Sequence, residues 1–326
     1  MKPWLSKSFL FVVALLCVAE LVVRVFFARN MSGRFEYGYD HNASGFEEKA
    51  DGTVKLVRAG GRKFHPQSFT RTKPDGVFRI MVLGDSVARG SSLRQSYPYR
   101  LGEVLQARGI KAESFNLALP GCGATRNQII LEQVLKYQPS LVVLHVNNSN
   151  EFEDEREWQR AEARRGWHPR NWPMKSLLLA RLYEMKTEKV LWKWLPAEIR
   201  NLGAVNDAGD EITASLNSDN VRRWNQTVAD KTAEDAALCQ KASVPLLLLT
   251  QARCENGILD DHGLDALVSP LVSSNVLHLS MKEILNRPDA QKLYADSSHV
   301  RPEAHDMLAE AIAAALVKSH LANPTK

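Results

Sequence analysis

The sequence is poor in cysteine, with four in 326 residues and no Cys-x-x-Cys pair. It also lacks the Cys/His spacing that holds structural zinc, so we expect neither a disulfide framework nor a domain built around a metal. Cys17 lies in an apolar N-terminal stretch. Among the other three, Cys239 and Cys254 could form a disulfide in an oxidising compartment, and the alternative is that each is buried as a small apolar side chain.

A strong excess of either charge is also missing. The chain has 42 lysines and arginines against 37 aspartates and glutamates, which gives a net charge of +5. It has no basic stripe of the kind that nucleic-acid readers show, so we expect no nucleic-acid partner. The mild positive excess favours contact with an anionic membrane surface. No internal repeat interrupts the chain, and its length suffices for one large domain with an insertion.

The N-terminus carries one long hydrophobic run. Two lysines precede the apolar residues 9–27, a stretch that approaches the roughly 20 residues needed to span a bilayer. Glu20 and Arg24 interrupt it, and their i, i+4 spacing lets them pair. We interpret residues 1–30 as an uncleaved signal anchor, with cleavage after Ala19 as the alternative. Both alternatives predict a protein outside the cytoplasm, on the periplasmic side of a bacterial inner membrane.

Alternating strand and helix patterns begin at residue 78. Residues 31–77 are interpreted as a linker and an irregular lead-in, because they are rich in glycine and charge. Beyond them, short apolar runs typical of buried parallel strands alternate with helical stretches. This order predicts an α/β fold with a central parallel sheet in a domain over 78–326. The predicted strands are 78–83, 113–117, 141–146, 245–250 and 275–279, and the predicted helices are 99–108, 127–137, 222–242 and 302–320.

The alternation breaks over about 152–220. This segment holds five of the seven tryptophans of the chain. We interpret it as a partly helical insertion that forms a cap over the carboxyl edge of the sheet or a membrane-facing surface. A solvated helical excursion whose tryptophans only pack among themselves is the alternative.

Polar residues with catalytic potential follow the predicted strands. Gly84-Asp85-Ser86 comes directly after the first strand, Gly121 lies in the loop after the second, and Asn150 follows the third. Asp296 and His299 precede the final helix. Ligands of an open parallel sheet bind beyond the carboxyl ends of its strands. The sequence therefore predicts that these residues share one site.

The residue types match an acyl-transfer reaction. A serine hydroxyl is a weak nucleophile unless a base takes its proton, and His299 is the candidate base for Ser86. Asp296 is the candidate for orienting the histidine ring. The tetrahedral oxyanion needs N–H donors, each worth about 3 kcal/mol. We expect these donors to be the backbone N–H groups of Ser86 and Gly121 and the side-chain amide of Asn150.

Four segments resemble the sequence blocks of the SGNH/GDSL serine hydrolases, namely Arg79–Ser86 with Tyr97-Pro98 downstream, Phe115–Gly121, Asn148–Phe152 and Asp296–Pro302. The resemblance covers about 78–152 and 244–318. It implies a flavodoxin-like three-layer α/β/α sandwich and esterase or deacylase chemistry that needs no cofactor and no metal. It also implies catalytic roles for Ser86, Asp296 and His299, and an oxyanion hole formed by Ser86, Gly121 and Asn150.

Two segments depart from the family pattern. The third block usually has a glycine where this chain has Asn148, so Asn147 and Asn148 remain rivals of Asn150 as the oxyanion donor. After the nucleophile, Val87–Gly90 matches the pattern loosely, and Arg89 is expected to favour anionic substrates.

Two further histidines are given structural interpretations. His145 lies inside an apolar predicted strand, which is typical of a core histidine with satisfied hydrogen bonds. His305 falls on the final helix, six residues after His299, and is expected at the surface or beside the catalytic residues.

Together these patterns predict an extracytoplasmic serine esterase that hydrolyses acyl esters, acetyl esters among them. The expected substrate is an acylated carbohydrate or lipid of the cell envelope, and the expected second partner is the membrane. An O-acyltransferase with the same triad, in which a sugar hydroxyl replaces water, is one alternative. A non-catalytic binding protein on the same fold is another, because fold alone does not give function.

Overall fold

The computed structural model describes residues 3–27, 45–56, 58–59, 62–148, 150–151, 176, 178 and 218–322. The chain forms two compact units. The smaller includes the N-terminal helix, Ser176 and Leu178, and the larger comprises Gly45–Arg58, Arg62–Arg156 and Ser215–Lys326. The insertion predicted over 152–220 lies outside the described residues except for these two residues and 218–220.

The described strands are, in chain order, β1 Phe46–Glu48, β2 Thr53–Leu56, β3 Arg58–Ala59, β4 Arg62–Lys63, β5 Ser68–Thr70, β6 Phe78–Leu83, β7 Ala112–Asn116, β8 Leu141–Val146, β9 Leu246–Thr250, β10 Arg253–Glu255, β11 Ile258–Asp260 and β12 Val276–Ser280. The described α-helices are α1 Pro3–Phe27, α2 Ser86–Arg89, α3 Tyr97–Ala107, α4 Ala124–Val134, α5 Ser218–Lys241, α6 Leu264–Val268, α7 Met281–Ile284 and α8 Pro302–Lys318. Short 3₁₀ turns occupy Leu93–Gln95, Leu135–Tyr137, Ser269–Leu271 and Ala290–Leu293.

In the smaller unit, α1 is long and apolar enough to be a membrane anchor or a signal sequence. Its residues Lys7–Val25 have a mean hydropathy of 2.4, and large apolar side chains such as Phe9 are exposed. Arg24 Nε donates to Glu20 Oε1 at 2.8 Å, which confirms the pairing predicted from their spacing. The other oxygen of Glu20 accepts hydrogen bonds from Ser176 Oγ at 2.6 Å and from the Leu178 backbone N–H at 2.9 Å.

A five-stranded parallel sheet forms the centre of the larger unit, in the order β12-β9-β8-β6-β7. Numbered by their position along the chain, these strands follow the order 2-1-3-4-5, which is the flavodoxin-like arrangement. Every residue of β8 and β9 is buried, as the continuous apolar runs predict. The predicted α/β fold with a flavodoxin-like parallel sheet is confirmed.

Helices cover both faces of this sheet. On one face α3 packs beside α8, and Leu101, Leu105, Leu308 and Ile312 join the buried residues of the strands in one core. On the other face α4 packs beside α5. The three layers place the carboxyl ends of β6, β7 and β8 at one edge, where the predicted catalytic residues follow them.

The lead-in predicted to be irregular contains a small antiparallel sheet in the order β1-β2-β5. Its apolar side chains pack against Phe115 of β7 and Tyr137 through an aromatic cluster. Phe69 lies 4.9 Å from Phe115 and 5.1 Å from Tyr137, and Phe46 lies 5.5 Å from Tyr137, between ring centroids. The apolar positions of these short strands are widely spaced in the sequence, so the pattern that identifies longer strands is weak here.

The cysteines of the larger unit, Cys122, Cys239 and Cys254, are buried and are not joined in disulfides. The disulfide that the sequence left open between Cys239 and Cys254 is not formed in this structure. Burial, together with the nearby charge of Asp235, raises the pKa of the Cys239 thiol to about 12. Cys239 therefore acts as a small apolar side chain.

A fully buried cation joins the lead-in sheet to the central one. The guanidinium of Arg79 on β6 pairs with Glu113 and donates to the Tyr137 carbonyl at 2.8 Å and to Thr70 Oγ1 at 3.2 Å. It also stacks over Phe69, with 5.3 Å from Cζ to the ring centroid. Each of its three nitrogens thus has an acceptor, which compensates the burial of the charge.

We predict that Arg79→Met lowers the free energy of unfolding by about 3 kcal/mol, because it leaves buried acceptors without their donor. The matched control is Arg71→Met, since Arg71 is 70% exposed and lies 3.7 Å from Glu48. An exposed pair of this kind is worth about 0–1 kcal/mol. Urea denaturation of both variants measures the difference, and equal losses would contradict the role given to Arg79.

Candidate active site

The nucleophile candidate lies at a tight turn between β6 and α2. Asp85 caps α2, because its Oδ1 accepts the Val87 N–H at 2.9 Å. Gly84 has no room for a side chain, since a Cβ built there would lie 2.7 Å from His145 Cβ and 2.8 Å from Ala88 Cβ. Ser86 is half-buried directly beyond this crowded point. The turn therefore presents its hydroxyl at the carboxyl edge of the sheet.

The predicted triad residues are in hydrogen-bonding contact. Ser86 Oγ lies 2.9 Å from His299 Nε2, across 213 residues of sequence. His299 Nδ1 lies 2.8 Å from Asp296 Oδ2. The three side chains thus form a continuous chain from hydroxyl to carboxylate, which is the arrangement in which a histidine can take a serine proton.

The segment carrying His299 is fixed by its own backbone. Ala295 N–H donates to the His299 carbonyl at 2.8 Å, and Arg301 N–H donates to the Leu293 carbonyl at 2.7 Å. Asp296 Oδ1 accepts the backbone N–H groups of His299 at 2.7 Å and of Ser298 at 2.8 Å. The loop between the last 3₁₀ turn and α8 is therefore organised around the carboxylate.

These contacts set the charge of Asp296. Partial burial would raise its pKa, but the N–H groups of His299 and Ser298 and the His299 ring outweigh burial and hold the pKa below the ordinary value. The side chains remain accessible, with exposed fractions of 47% for His299 and 57% for Asp296. Asp296 is therefore ionised near neutral pH, with its Oδ2 2.8 Å from His299 Nδ1.

The loop after β7 passes along the nucleophile turn. Leu117 N–H donates to the Val82 carbonyl at 2.8 Å, and Leu119 N–H donates to the Gly84 carbonyl at 3.0 Å. Gly121 follows two residues later with a φ of +59°. This is the left-handed region that favours glycine, so the residue type at 121 is explained by the backbone.

Of the three asparagines after β8, Asn150 is the one that reaches the nucleophile turn. Its Nδ2 donates to Asp85 Oδ2 at 2.9 Å and to Asn147 Oδ1 at 3.1 Å. Asn147 is buried and its own amide donates to the Cys122 carbonyl at 3.4 Å. Asn148 instead donates to Asn225 Oδ1 on α5 at 2.8 Å. Both N–H groups of the Asn150 amide are therefore donated, one to the Ser86 turn and one to Asn147.

The sequence did not identify Asn116 and Gln67 as part of the site. Asn116 Nδ2 donates to the Arg89 carbonyl at 3.1 Å and to Ser96 Oγ at 3.0 Å, which ties the end of α2 to β7. Gln67 bonds both backbone groups of Asn116, accepting its N–H at 2.9 Å and donating to its carbonyl at 2.8 Å. The position of Asn116 at a strand end is the only signal that could have indicated it.

Glu151 supports the start of α4. Its Oε1 accepts the Ala124 N–H at 2.7 Å, at the start of α4. Gly123 precedes this helix without a side-chain cap, so the carboxylate satisfies one of the unpaired donors there.

The remaining predicted residues lie beside the site or below it. His145 is buried in β8, as expected, but among the described residues its Nε2 has no hydrogen-bond partner, so the expected satisfaction is only partial. His305 is also buried, because α8 turns this face toward α3, which excludes the surface alternative and leaves the position beside the catalytic residues. The guanidinium of Arg89 is half-buried, and burial lowers its pKa. Within the residues that the structure describes, no group of three His, Cys, Asp or Glu side chains could hold a metal ion.

Comparisons with known proteins concern the fold. No family model and no curated protein matches the chain. Solved structures that resemble it include a GDSL-like lipase from Bacteroides thetaiotaomicron (12% identity, 74% of this chain and 89% of that one, TM-score 0.40). An acetyl xylan esterase (14%, 73% and 99%, 0.45) and an esterase of the SGNH-hydrolase family (15%, 76% and 98%, 0.37) also resemble it. The case for chemistry below depends on the side-chain contacts of this chain.

Proposed function

We propose that the chain is a serine esterase of the SGNH/GDSL type, which hydrolyses acyl esters at Ser86. The hydrogen-bond chain from Ser86 Oγ through His299 to Asp296 carries this proposal. If His299 only paired with Asp296 at the surface, or were only a core residue, no serine would be required at 2.9 Å from its other ring nitrogen, Nε2. All three residues also lie at the edge of the sheet where ligands of this fold class bind.

Acylation begins with attack of Ser86 Oγ on the ester carbonyl carbon. His299 Nε2 takes the hydroxyl proton as the new C–O bond forms, and Asp296 stabilises the resulting imidazolium. The tetrahedral intermediate then collapses, the C–O bond to the alcohol breaks, and His299 returns the proton to the leaving alkoxide. The acyl group remains on Ser86.

The oxyanion that develops is stabilised by N–H donors near the turn. The candidates are the backbone N–H groups of Ser86 and Gly121 and the Asn150 amide, of which Asn150 is held beside the turn by Asp85 at 2.9 Å. Because Asp85 Oδ1 also accepts the Val87 N–H, one carboxylate fixes both the turn and the amide donor. Asn150 Nδ2 also lies 3.1 Å from Asn147 Oδ1, and the N–H of this longer bond is the one that turns to the oxyanion during the reaction.

Deacylation needs a second nucleophile, and the exposure of the triad favours water. His299 and Asp296 are about half exposed, so water can approach Nε2, lose a proton to it and attack the acyl carbon. The bond from the acyl carbon to Ser86 Oγ then breaks, His299 returns the proton to Oγ, and the products are a carboxylic acid and a regenerated Ser86. We therefore favour hydrolysis over acyl transfer to a sugar hydroxyl.

The location is proposed from α1. Its exposed apolar surface fits a bilayer, and Glu20, the costly residue in it, is paired with Arg24 and hydrogen-bonded by Ser176 and Leu178. We infer an uncleaved anchor with the catalytic unit on the periplasmic side. The corresponding substrate is an acylated glycan or lipid of the cell envelope.

We predict that Ser86→Ala and His299→Ala each lower kcat for p-nitrophenyl acetate by about 10³-fold or more, because each removes one member of the triad. The measurement uses the full chain in detergent micelles, and a fluorophosphonate probe followed by peptide mapping reports labelling at Ser86. Ser92→Ala is the matched control, since Ser92 is an exposed serine after the same turn. Turnover that persists in Ser86→Ala would refute the proposal, and release of free acid identifies water as the acceptor.

Asn150→Ala and Asn148→Ala test the oxyanion donor. We expect the first to reduce kcat by about 10²-fold, because it removes one donor to the oxyanion. The second should stay close to wild type, since the Asn148 amide is directed to Asn225 on α5, whereas the Asn150 amide is directed to Asp85 in the Ser86 turn. Steady-state kinetics with p-nitrophenyl acetate measures both. Loss in Asn148→Ala alone would move the donor role to that residue.

The anchor predicts that the full chain remains in the membrane fraction after an alkaline carbonate wash. A chain lacking residues 1–27 should appear in the soluble periplasmic fraction only when it is given a cleavable signal peptide. Protease added to spheroplasts should degrade the catalytic unit of the intact chain. A mature protein whose first residue is Glu20 would show that the segment is cleaved after Ala19.

A further inference from the structure

Tyr97 is fully buried between two histidine rings. Its ring centroid lies 6.0 Å from that of His145 on β8, with 28° between the planes, and 6.1 Å from that of His305 on α8, with 25°. All three side chains are within the core. The three rings therefore form one stack that joins the central sheet, α3 and α8.

Hydrogen bonds fix the order of this stack. The Tyr97 hydroxyl lies 3.2 Å from His145 Nδ1, and the Tyr97 backbone N–H donates to His305 Nδ1 at 3.3 Å. Tyr97 is the first residue of α3, and Ser96 before it gives no side-chain cap. The ring of His305 thus satisfies one of the donors that the start of a helix leaves without a partner.

Both ends of the turn that carries Ser86 rest on the stack. At one end, Gly84 lies so close to His145 that a Cβ would come within 2.7 Å of the His145 Cβ. At the other end, Gly90 closes α2 with a φ of +66°, and a Cβ there would lie 3.3 Å from His305 Nε2. The two histidines are therefore in contact with the two glycines that flank the turn.

The stack is also connected to His299, the proposed general base, through α8. His305 lies in the first turn of α8, which begins three residues after His299. Its acceptor role requires a neutral ring with an unprotonated Nδ1. Burial, together with the proximity of His145, lowers the pKa of His305 to about 4, so the ring is neutral near pH 7.

Resting on the function proposed for Ser86, we propose that Tyr97 and His305 are positioning residues. The bond from the Tyr97 N–H to His305 Nδ1 sets the distance between the Ser86 turn and the segment that carries His299. Neither residue touches the reacting atoms. Reactivity depends on this bond because a misplacement of about 1 Å between reacting groups can lower a rate by about 10²-fold.

The test compares His305→Leu with His305→Asn in the full chain in detergent micelles. Leucine fills space but cannot accept a hydrogen bond, whereas Asn Oδ1 can take the place of Nδ1. We expect His305→Leu to lower kcat for p-nitrophenyl acetate by about 10- to 100-fold with KM within about twofold, and to slow fluorophosphonate labelling of Ser86 in proportion. His305→Asn should restore kcat to within about threefold of wild type.

Ile312→Ala is the control for lost packing, because Ile312 is a buried residue two turns further along α8. It should lower the melting temperature yet keep kcat within about twofold of wild type, since it removes packing and no hydrogen bond. Equal kcat in His305→Leu and wild type would overturn the proposal, and so would a loss in His305→Asn as large as that in His305→Leu. If His305→Leu does not fold, His305→Phe takes its place, because phenylalanine keeps a ring beside Tyr97 but cannot accept the Tyr97 N–H. An unchanged kcat in His305→Phe would overturn the proposal.

Failure of the esterase function is separately visible. A wild-type chain that neither turns over ester nor labels at Ser86 would refute that function. Hydrogen exchange at the Tyr97 amide would still test the bond from the Tyr97 N–H to His305 Nδ1. Faster exchange in His305→Leu than in His305→Asn would support the bond and its geometric role. Equal exchange in both would overturn it.

Discussion

The absence of a side chain at Gly84 is the constraint on which the site depends. Only there can β6 turn into α2 while the backbone passes against His145 of the neighbouring strand. The turn places Asp85 where its carboxylate can cap α2 and hold the Asn150 amide, and it places Ser86 at the exposed edge. One close backbone contact between two parallel strands thus fixes the nucleophile relative to the sheet.

Much of this fold could be predicted from the sequence, because its central strands are continuous apolar runs. β6 and β8 begin and end at the predicted residues, and the ends of these strands identify Ser86 and Asn150. The lead-in sheet could not be predicted in the same way. Its strands are short, and what stabilises them is a contact with distant residues, such as Phe69 against Tyr137.

The same distinction applies to the site. Ser86, Asp296 and His299 could be proposed from their types and positions, because a triad needs few residue types in a known order of roles. The residues that support the triad could not be proposed in this way. Asn116 and Gln67 act through hydrogen bonds to backbone groups far away in sequence, and such bonds depend on rotamers that no spacing encodes. The position of His305 was left open between the surface and the catalytic residues for this reason, since helical periodicity alone does not say which neighbour a buried face meets.

The site combines an exposed proton acceptor with a buried support. Outside, His299 and Asp296 are about half exposed, and in the proposed mechanism His299 takes the serine proton while Asp296 stays ionised. Inside, burial lowers the pKa of His145 and of His305 and raises that of the Tyr97 phenol, an effect to which the Asp85 charge adds. The support beneath the nucleophile therefore stays neutral while the pair above it gains and loses a proton. A neutral support can hold one geometry through both steps, because protonation of His299 does not require any of its hydrogen bonds to change partner.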